Sequence, residues 1–215
     1  MAGQMKIEPF EKHIDRYESW FIKNRFAFES ELKAIRQLLP CNGTGVEIGV
    51  GSGLFAQALG IRFGIDPSIK MQKLAKKRRV KTFAGTGEYL PLKTASIDYL
   101  LNVTTICFLD DVELAFKEAY RVLKNDGIIV IGFVDKHSAV GRKYEEHKNE
   151  NVFYRIARFY STEEVIGLLK KSGFIRFDIV QTIFRDLNEL KDIEPVKPGY
   201  GQGSFIVIKT YKPLD

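Results

Sequence analysis

Val46-Glu47-Ile48-Gly49-Val50-Gly51-Ser52-Gly53 runs directly into Leu54-Phe55-Ala56-Gln57-Ala58-Leu59. The first residues read as a buried strand, the glycines as the turn that ends it, and residues 54–59 as the start of a helix. Glycine at a strand end accepts positive φ and leaves room for a ligand where a Cβ would stand. A helix starting there offers unpaired N–H groups and the positive end of its dipole. The arrangement suits a nucleotide-like cofactor bearing a carboxylate or phosphate, although such turns also occur without a ligand.

Two details narrow that ligand. The glycines fall at 49, 51 and 53, and the sixth position of the dinucleotide fingerprint, normally Gly or Ala, is Leu54, which argues against NAD or FAD. Glu47 lies two places before the first glycine. A carboxylate there opposes a pyrophosphate but attracts an ammonium or sulfonium group, so the turn favours a zwitterion.

Outward from this turn, strand and helix alternate. Helices are expected within 7–39, meeting near Asn24-Arg25. Strands are expected at 45–49, 61–65, 80–84, 97–103 and 128–134, with helices at 54–59, 68–78 and 110–123. Asn125-Asp126-Gly127 reads as the stop of the last helix. Ser161-Thr162-Glu163-Glu164 opens another helix ending at Ser172-Gly173, and two strands follow at 174–184 and 205–211. This pattern predicts a mainly parallel sheet with helices on both faces.

The 215 residues, 45% of them hydrophobic, suffice for one domain with a full core. No apolar run approaches the ~20 residues of a membrane span, and residues 1–10 lack the form of a secretory signal. Cys41 and Cys107 have no metal-like or redox-like spacing, so both are expected as small packing residues and no metal site is expected. A cytoplasmic enzyme is the natural reading. The net charge of +6 concentrates in Lys70, Lys73, Lys76, Lys77, Arg78, Arg79 and Lys81. Such a cluster can bind phosphates, but no aromatic residue interleaves it, and a solvated helix face is preferred over a nucleic-acid site.

In open α/β sheets, ligands sit beyond the carboxyl ends of the strands. Four such ends carry unusual residues: the glycine turn, Asp66, Gly85 to Glu88, and Asn102 to Thr105. Asp66 could accept hydrogen bonds from two ribose hydroxyls, or cap a helix that begins at Pro67.

Six segments in order, VEIGVGSG (46–53), GIDPS (64–68), GTGEYLPL (85–92), IDYLLNVTTICFLDD (97–111), AYRVLKNDGIIVIG (119–132) and YSTEEVIGLLKKSGF (160–174), resemble the class I S-adenosylmethionine-dependent methyltransferases. The likeness is to the small-molecule, domain-11-like group related to ubiquinone-biosynthesis methylases. It implies a Rossmann-like, doubly wound α/β sheet of seven mostly parallel strands, with an antiparallel last strand and an N-terminal helical cap. One domain over 1–215 would comprise the cap (1–40), a cofactor-binding half (44–134), a substrate lid (135–160) and a C-terminal helix with strands (161–215).

The resemblance further implies that Glu47, Gly49, Gly51 and Gly53 line the methionine part of S-adenosylmethionine. Asp66 would hold the ribose, with Pro67 and Ser68 near the adenine and Gly85, Thr86, Gly87 and Glu88 bracketing it. Asn102, Val103 and Thr104 would lie near the amino group and sulfonium. Thr86 stands where many relatives have Asp, leaving Glu88 or the backbone to accept from the adenine amino group. Cys107 and Phe108 stand where many have a His pair.

Methyl transfer by in-line displacement depends on positioning, and no catalytic base is assigned. Substrate contacts are expected from Tyr17, Trp20 and Phe21, which could close as a lid or pin their helix to the sheet. Others are expected from His137, Tyr144 and Tyr154, with Arg155 and Arg158 suiting an acidic acceptor. The expected partner is a small molecule accepting methyl on N or O, as an amine or a hydroxyl. The alternatives are an RNA or other nucleic-acid methyltransferase, disfavoured by the absence of an N-P-P-Y type motif after the fourth strand, and a non-catalytic cofactor-binding module.

Overall fold

The computed structural model describes residues 2–214; Met1 and Asp215, the outer limits of the expected domain, lie outside them. β1 (Gly45–Ile48) is buried at every position, as a parallel strand covered on both faces must be. It pairs in parallel with β2 (Phe63–Ile65) on one side and β4 (Ile97–Val103) on the other. β3 (Lys81–Phe83) continues beyond β2, and β5 (Leu123–Val134) beyond β4, also in parallel. β6 (Ile175–Thr182), β7 (Lys197–Pro198) and β8 (Phe205–Tyr211) complete the sheet. β8 inserts antiparallel between β5 and β6, giving the order β3-β2-β1-β4-β5-β8-β6-β7. The order reverses between β1 and β4, so a crevice opens at the carboxyl ends of β1, β2 and β4.

Successive residues of β4 serve opposite faces: Leu100 joins one core, Leu101 the other. On the first face lie α6 (Val112–Val122) and α8 (Thr162–Lys171), packed through residues such as Phe116 and Leu169. On the second lie α3 (Arg25–Leu38), α4 (Leu54–Leu59), α5 (Ile69–Lys77) and α7 (Ala139–Glu146), packed through Ile35, Phe55, Ala75 and Val140. α8 opens on a capping box in which Ser161 and Glu164 each accept from the other's backbone.

Several expectations need correction. The sheet has eight strands, not seven. The added β7 is two exposed residues paired with Val180 and Gln181 at the edge, too short to show an alternation and placed where proline costs no ladder bond. Three helices precede β1: α1 (Ala2–Lys12) and α2 (Ile14–Lys23) are separated by the non-helical His13, and Asn24 divides α2 from α3. A one-residue break barely disturbs an apolar stripe, which explains why two helices were expected. Asn125-Asp126-Gly127 does not stop α6, which ends at Val122. Leu123 already pairs with Ile97, and Ile128 pairs with Tyr99, so residues 124–127 bulge out within β5 with Asp126 at φ 58°. Cys41 is exposed rather than packed. Among the described residues no helix is long and apolar enough to cross a membrane.

Candidate active site

Gly49 (φ 69°), Gly51 (φ 52°) and Gly53 (φ 85°) all take left-handed conformations. At Gly49 a Cβ would strike the Thr105 side chain at 2.3 Å, and at Gly51 it would lie 2.8 Å from the Tyr17 hydroxyl. The turn is thus pinned from below by Thr105 and roofed by α2. α4 behind it has six residues, so its dipole adds less than a full helix would. Arg78 anchors the turn from the side, donating to the Ser52 carbonyl at 2.9 Å and pairing with Glu18 of α2. Of the basic segment, Arg78 is therefore structural, whereas Lys70, Lys73, Lys76, Lys77, Arg79 and Lys81 are exposed.

Asp66 ties this turn to the next loop: one carboxylate oxygen accepts from Gly51 N–H and the other from Ser68 N–H, each at 2.8 Å. Burial raises its pKa to about 6 against the opposing pull of those two bonds. Asp66 does not cap α5. Ser68 does, accepting from Met71 N–H at 3.2 Å while its hydroxyl donates to Glu11 of α1 at 2.9 Å. Glu47 is almost fully buried, and burial lifts its pKa well above the ordinary carboxylate range. Its Oε2 has no hydrogen-bond partner, nor has the buried Asn102 Oδ1.

A cavity of about 180 Å³ lies over these groups. Glu47, Gly49, Gly51, Asp66, Pro67, Ser68, Thr86, Gly87, Glu88, Val103 and Thr104 line it; Gly53 and Asn102 lie outside its wall. Gly53 packs against Ala75 instead. Glu88 is committed to the fold, since its Oε1 accepts from Asp110 N–H at 2.7 Å and Asp111 N–H at 3.3 Å. Thr104 holds a left-handed φ of 48°, a costly conformation for a β-branched residue, fixed by its N–H bond to Gly132 at 2.7 Å.

A second cavity, about 160 Å³, adjoins the first, and Phe10, Tyr17, Phe55, Thr104 and Phe108 line both. Trp20, Phe21, Tyr144 and Tyr154 belong to this second cavity. His137 does not: it is exposed, lines neither cavity, and donates its backbone N–H to Asp135 at 2.7 Å. Arg155 and Arg158 are also outside the wall; Arg158 lies over the Tyr160 ring at 5.0 Å. Sequence reasoning missed Phe10, Glu31 and Phe153. For Glu31 a signal existed, because Ala27, Glu31 and Ile35 share one buried stripe of α3, and a carboxylate is out of place there. Phe10 and Phe153 meet only in space, with ring centres 5.1 Å apart.

The crevice therefore pairs a carboxylate-lined chamber with an aromatic one. An unpartnered buried acceptor on Glu47, a glycine turn open to close approach and a carboxylate at the end of β2 fit a ligand with an ammonium group and vicinal hydroxyls, as S-adenosylmethionine has.

Residues 46–131 match the methyltransferase domain family Methyltransf_11. The chain is similar to a SAM-dependent methyltransferase of Thermotoga maritima, described as a possible histamine N-methyltransferase. Its crystal structure shares 52% identity and a TM-score of 0.94 over 96% of this chain and 99% of that one. An uncharacterised protein of Methanocaldococcus jannaschii is 40% identical over 94% of this chain and 98% of its own. Phosphoethanolamine N-methyltransferase 2 of Caenorhabditis elegans is 27% identical over 75% of this chain and 40% of its own.

Proposed function

We propose, for a chain that belongs to the S-adenosylmethionine-dependent methyltransferases, that it methylates a nitrogen or oxygen atom of a small molecule held in the aromatic cavity. The observation that carries this reading is the pair of adjoining cavities with Tyr17 and Thr104 at their junction. Asp66 would hold the ribose hydroxyls, and Glu47 the ammonium of the methionine part. When bound, the cofactor supplies a methyl group already activated on a cationic sulfur, so the protein need provide no nucleophile.

What remains for the chain is positioning. Tyr17, whose hydroxyl burial and the nearby carboxylates keep protonated, stands over the glycine turn and separates the donor from water. Thr104, locked in its left-handed conformation, lines both chambers. Methylated nitrogen in the products suggested by the names of the Thermotoga and nematode proteins supports a nitrogen acceptor. Cys41 and Cys107 are both free thiols, which suits a reducing compartment and a cytoplasmic enzyme.

Mass spectrometry of a metabolite extract incubated with the protein and methyl-labelled cofactor tests the reading. One compound should gain a labelled methyl group. Calorimetry that finds no binding of S-adenosylhomocysteine would overturn it.

A further inference from the structure

Glu31 is the one carboxylate among the residues lining the aromatic cavity. Its side chain sits in the middle of α3 with 4% of its surface exposed. Among the described residues no ion pair or side-chain hydrogen bond reaches it. The one cation in the cavity wall, Arg16, is exposed and does not pair with it. Of the cations stacked on wall rings, Lys148 lies over Phe159 at 6.0 Å and pairs with Glu145, and Arg158 lies over Tyr160 at 5.0 Å. Burying an unpaired carboxylate is costly, and nothing in the fold of α3 demands it: Ala27, Ala34 and Ile35 alongside make an ordinary apolar stripe.

Around that carboxylate stand aromatic rings. Tyr144 and Tyr154 lie with centres 4.2 Å apart at 32°, and Phe159 is 5.9 Å and 5.8 Å from them. Trp20 and Phe21, 5.2 Å apart, add a further wall. Electron-rich faces beside one carboxylate form the surroundings an organic cation seeks, because the rings attract it by their quadrupoles and the carboxylate by charge. The same surroundings repel a carboxylate or a phosphate. Arg155 and Arg158, which could have recruited an acid, do not line the cavity.

We propose that Glu31 and the surrounding aromatic rings form a binding site for the cationic group of a protonated organic amine, selecting amines over acids and neutral alcohols; the nitrogen that takes the methyl group first gives up a proton to the Glu31 carboxylate or to water, because an ammonium has no lone pair with which to form the new N–C bond. This assignment rests on the methyltransferase reading above and deepens it. Burial pushes the Glu31 carboxyl up to about 8, so it is largely protonated near neutral pH until a bound organic cation supplies the counter-charge that favours its ionised form; burial also raises Tyr144 and Tyr154, with a smaller contribution from Glu31.

The test is calorimetry with the full chain saturated by S-adenosylhomocysteine. The probes are 2-phenylethylamine with 2-phenylethanol and 3-phenylpropanoate, and 1,4-diaminobutane with 1,4-butanediol and succinate. At least one amine should bind roughly tenfold or more tightly than its alcohol, with its acid weaker still. Glu31→Gln should abolish that preference, and Glu31→Asp should keep part of it, both retaining S-adenosylhomocysteine affinity within about twofold, the mark of an intact fold. The proposal fails if neither amine binds, if an alcohol or acid matches its amine, or if Glu31→Gln leaves the preference unchanged. Loss of S-adenosylhomocysteine binding by the unaltered protein would instead sink the methyltransferase reading itself.

Discussion

Asp66 spends one lone pair of each carboxylate oxygen on the backbone, holding Gly51 and Ser68, and keeps the others for hydroxyl donors. Asp66→Ala should weaken S-adenosylhomocysteine binding by about 1.5–3 kcal/mol, the scale of hydrogen bonds to a charged group, as calorimetry would report. Because burial raises Asp66 to about 6, the acceptor is lost as the carboxylate protonates. Affinity should therefore fall between about pH 7 and pH 5 in the unaltered protein and stay flatter in Asp66→Ala. Glu31 makes the opposite demand on the fold. Its carboxyl is raised to about 8, so the folded state holds the proton more tightly than the unfolded chain, where release occurs near the ordinary glutamate value. Its contribution is complete below that ordinary value and is lost as pH rises through about 8. Thermal melts should show the unaltered protein losing stability relative to Glu31→Gln by roughly 5 °C or more across that window. A constant difference would mean that Glu31 does not titrate there. The strand-end residues lining the first cavity were legible because they are nearly contiguous, at 47–51, 66–68, 85–88 and 103–105. The wall of the second cavity was legible only in part: Tyr17, Trp20, Phe21, Tyr144 and Tyr154 were named from the sequence, but Phe10, Glu31 and Phe153 lie on separate segments that spacing cannot join.

Elements carry a different kind of information. Ser161 with Glu164 announces the start of α8 in four letters, and the structure forms that capping box. The buried strands β1 and β4 were equally plain as apolar runs. Asn125-Asp126-Gly127 was ambiguous because the same residues that end a helix also supply the left-handed corner of a bulge, here at Asp126. The glycine turn shows how an element can depend on a partner that no local pattern reveals. Arg78, at the end of α5, bonds the Ser52 carbonyl and pairs with Glu18, joining α5, the turn and α2. Both partners are about a quarter exposed, at 22% and 26%, so the pair is screened in part. Arg78→Ala should cost about 1–2 kcal/mol in chemical denaturation and loosen S-adenosylhomocysteine binding by freeing the turn. If stability and affinity both hold, the clamp has no role. Lys76→Ala, on the exposed side of the same helix, should change neither.

At the scale of the molecule, the central strands are buried while the cap lies near the surface. α2 contains no buried residue. α1 and α2 reach the rest of the fold through a few polar links, Lys6 to Asp110 at 2.7 Å, Glu11 to Ser68 at 2.9 Å and Glu18 to Arg78, and through aromatic contacts such as Phe21 with Phe28 at 5.1 Å and Phe55 at 6.0 Å. Lys6, Ile7, Phe10 and Tyr17 line the first cavity, and Phe10 meets Phe108 at 4.9 Å and Phe153 at 5.1 Å across the junction of the two cavities. Segments with few buried contacts open at low free-energy cost, and a ligand that touches the closed form shifts the population toward it. Hydrogen exchange should therefore slow across residues 6–23 when S-adenosylhomocysteine binds, while the central strands, already protected, change little. Phe10→Ala removes one of the rings shared by both chambers and should shrink that added protection, with faster release of the ligand. Exchange in residues 6–23 that is identical with and without ligand would show that the cap closes independently of the cofactor, leaving substrate entry to the segment of residues 135–160.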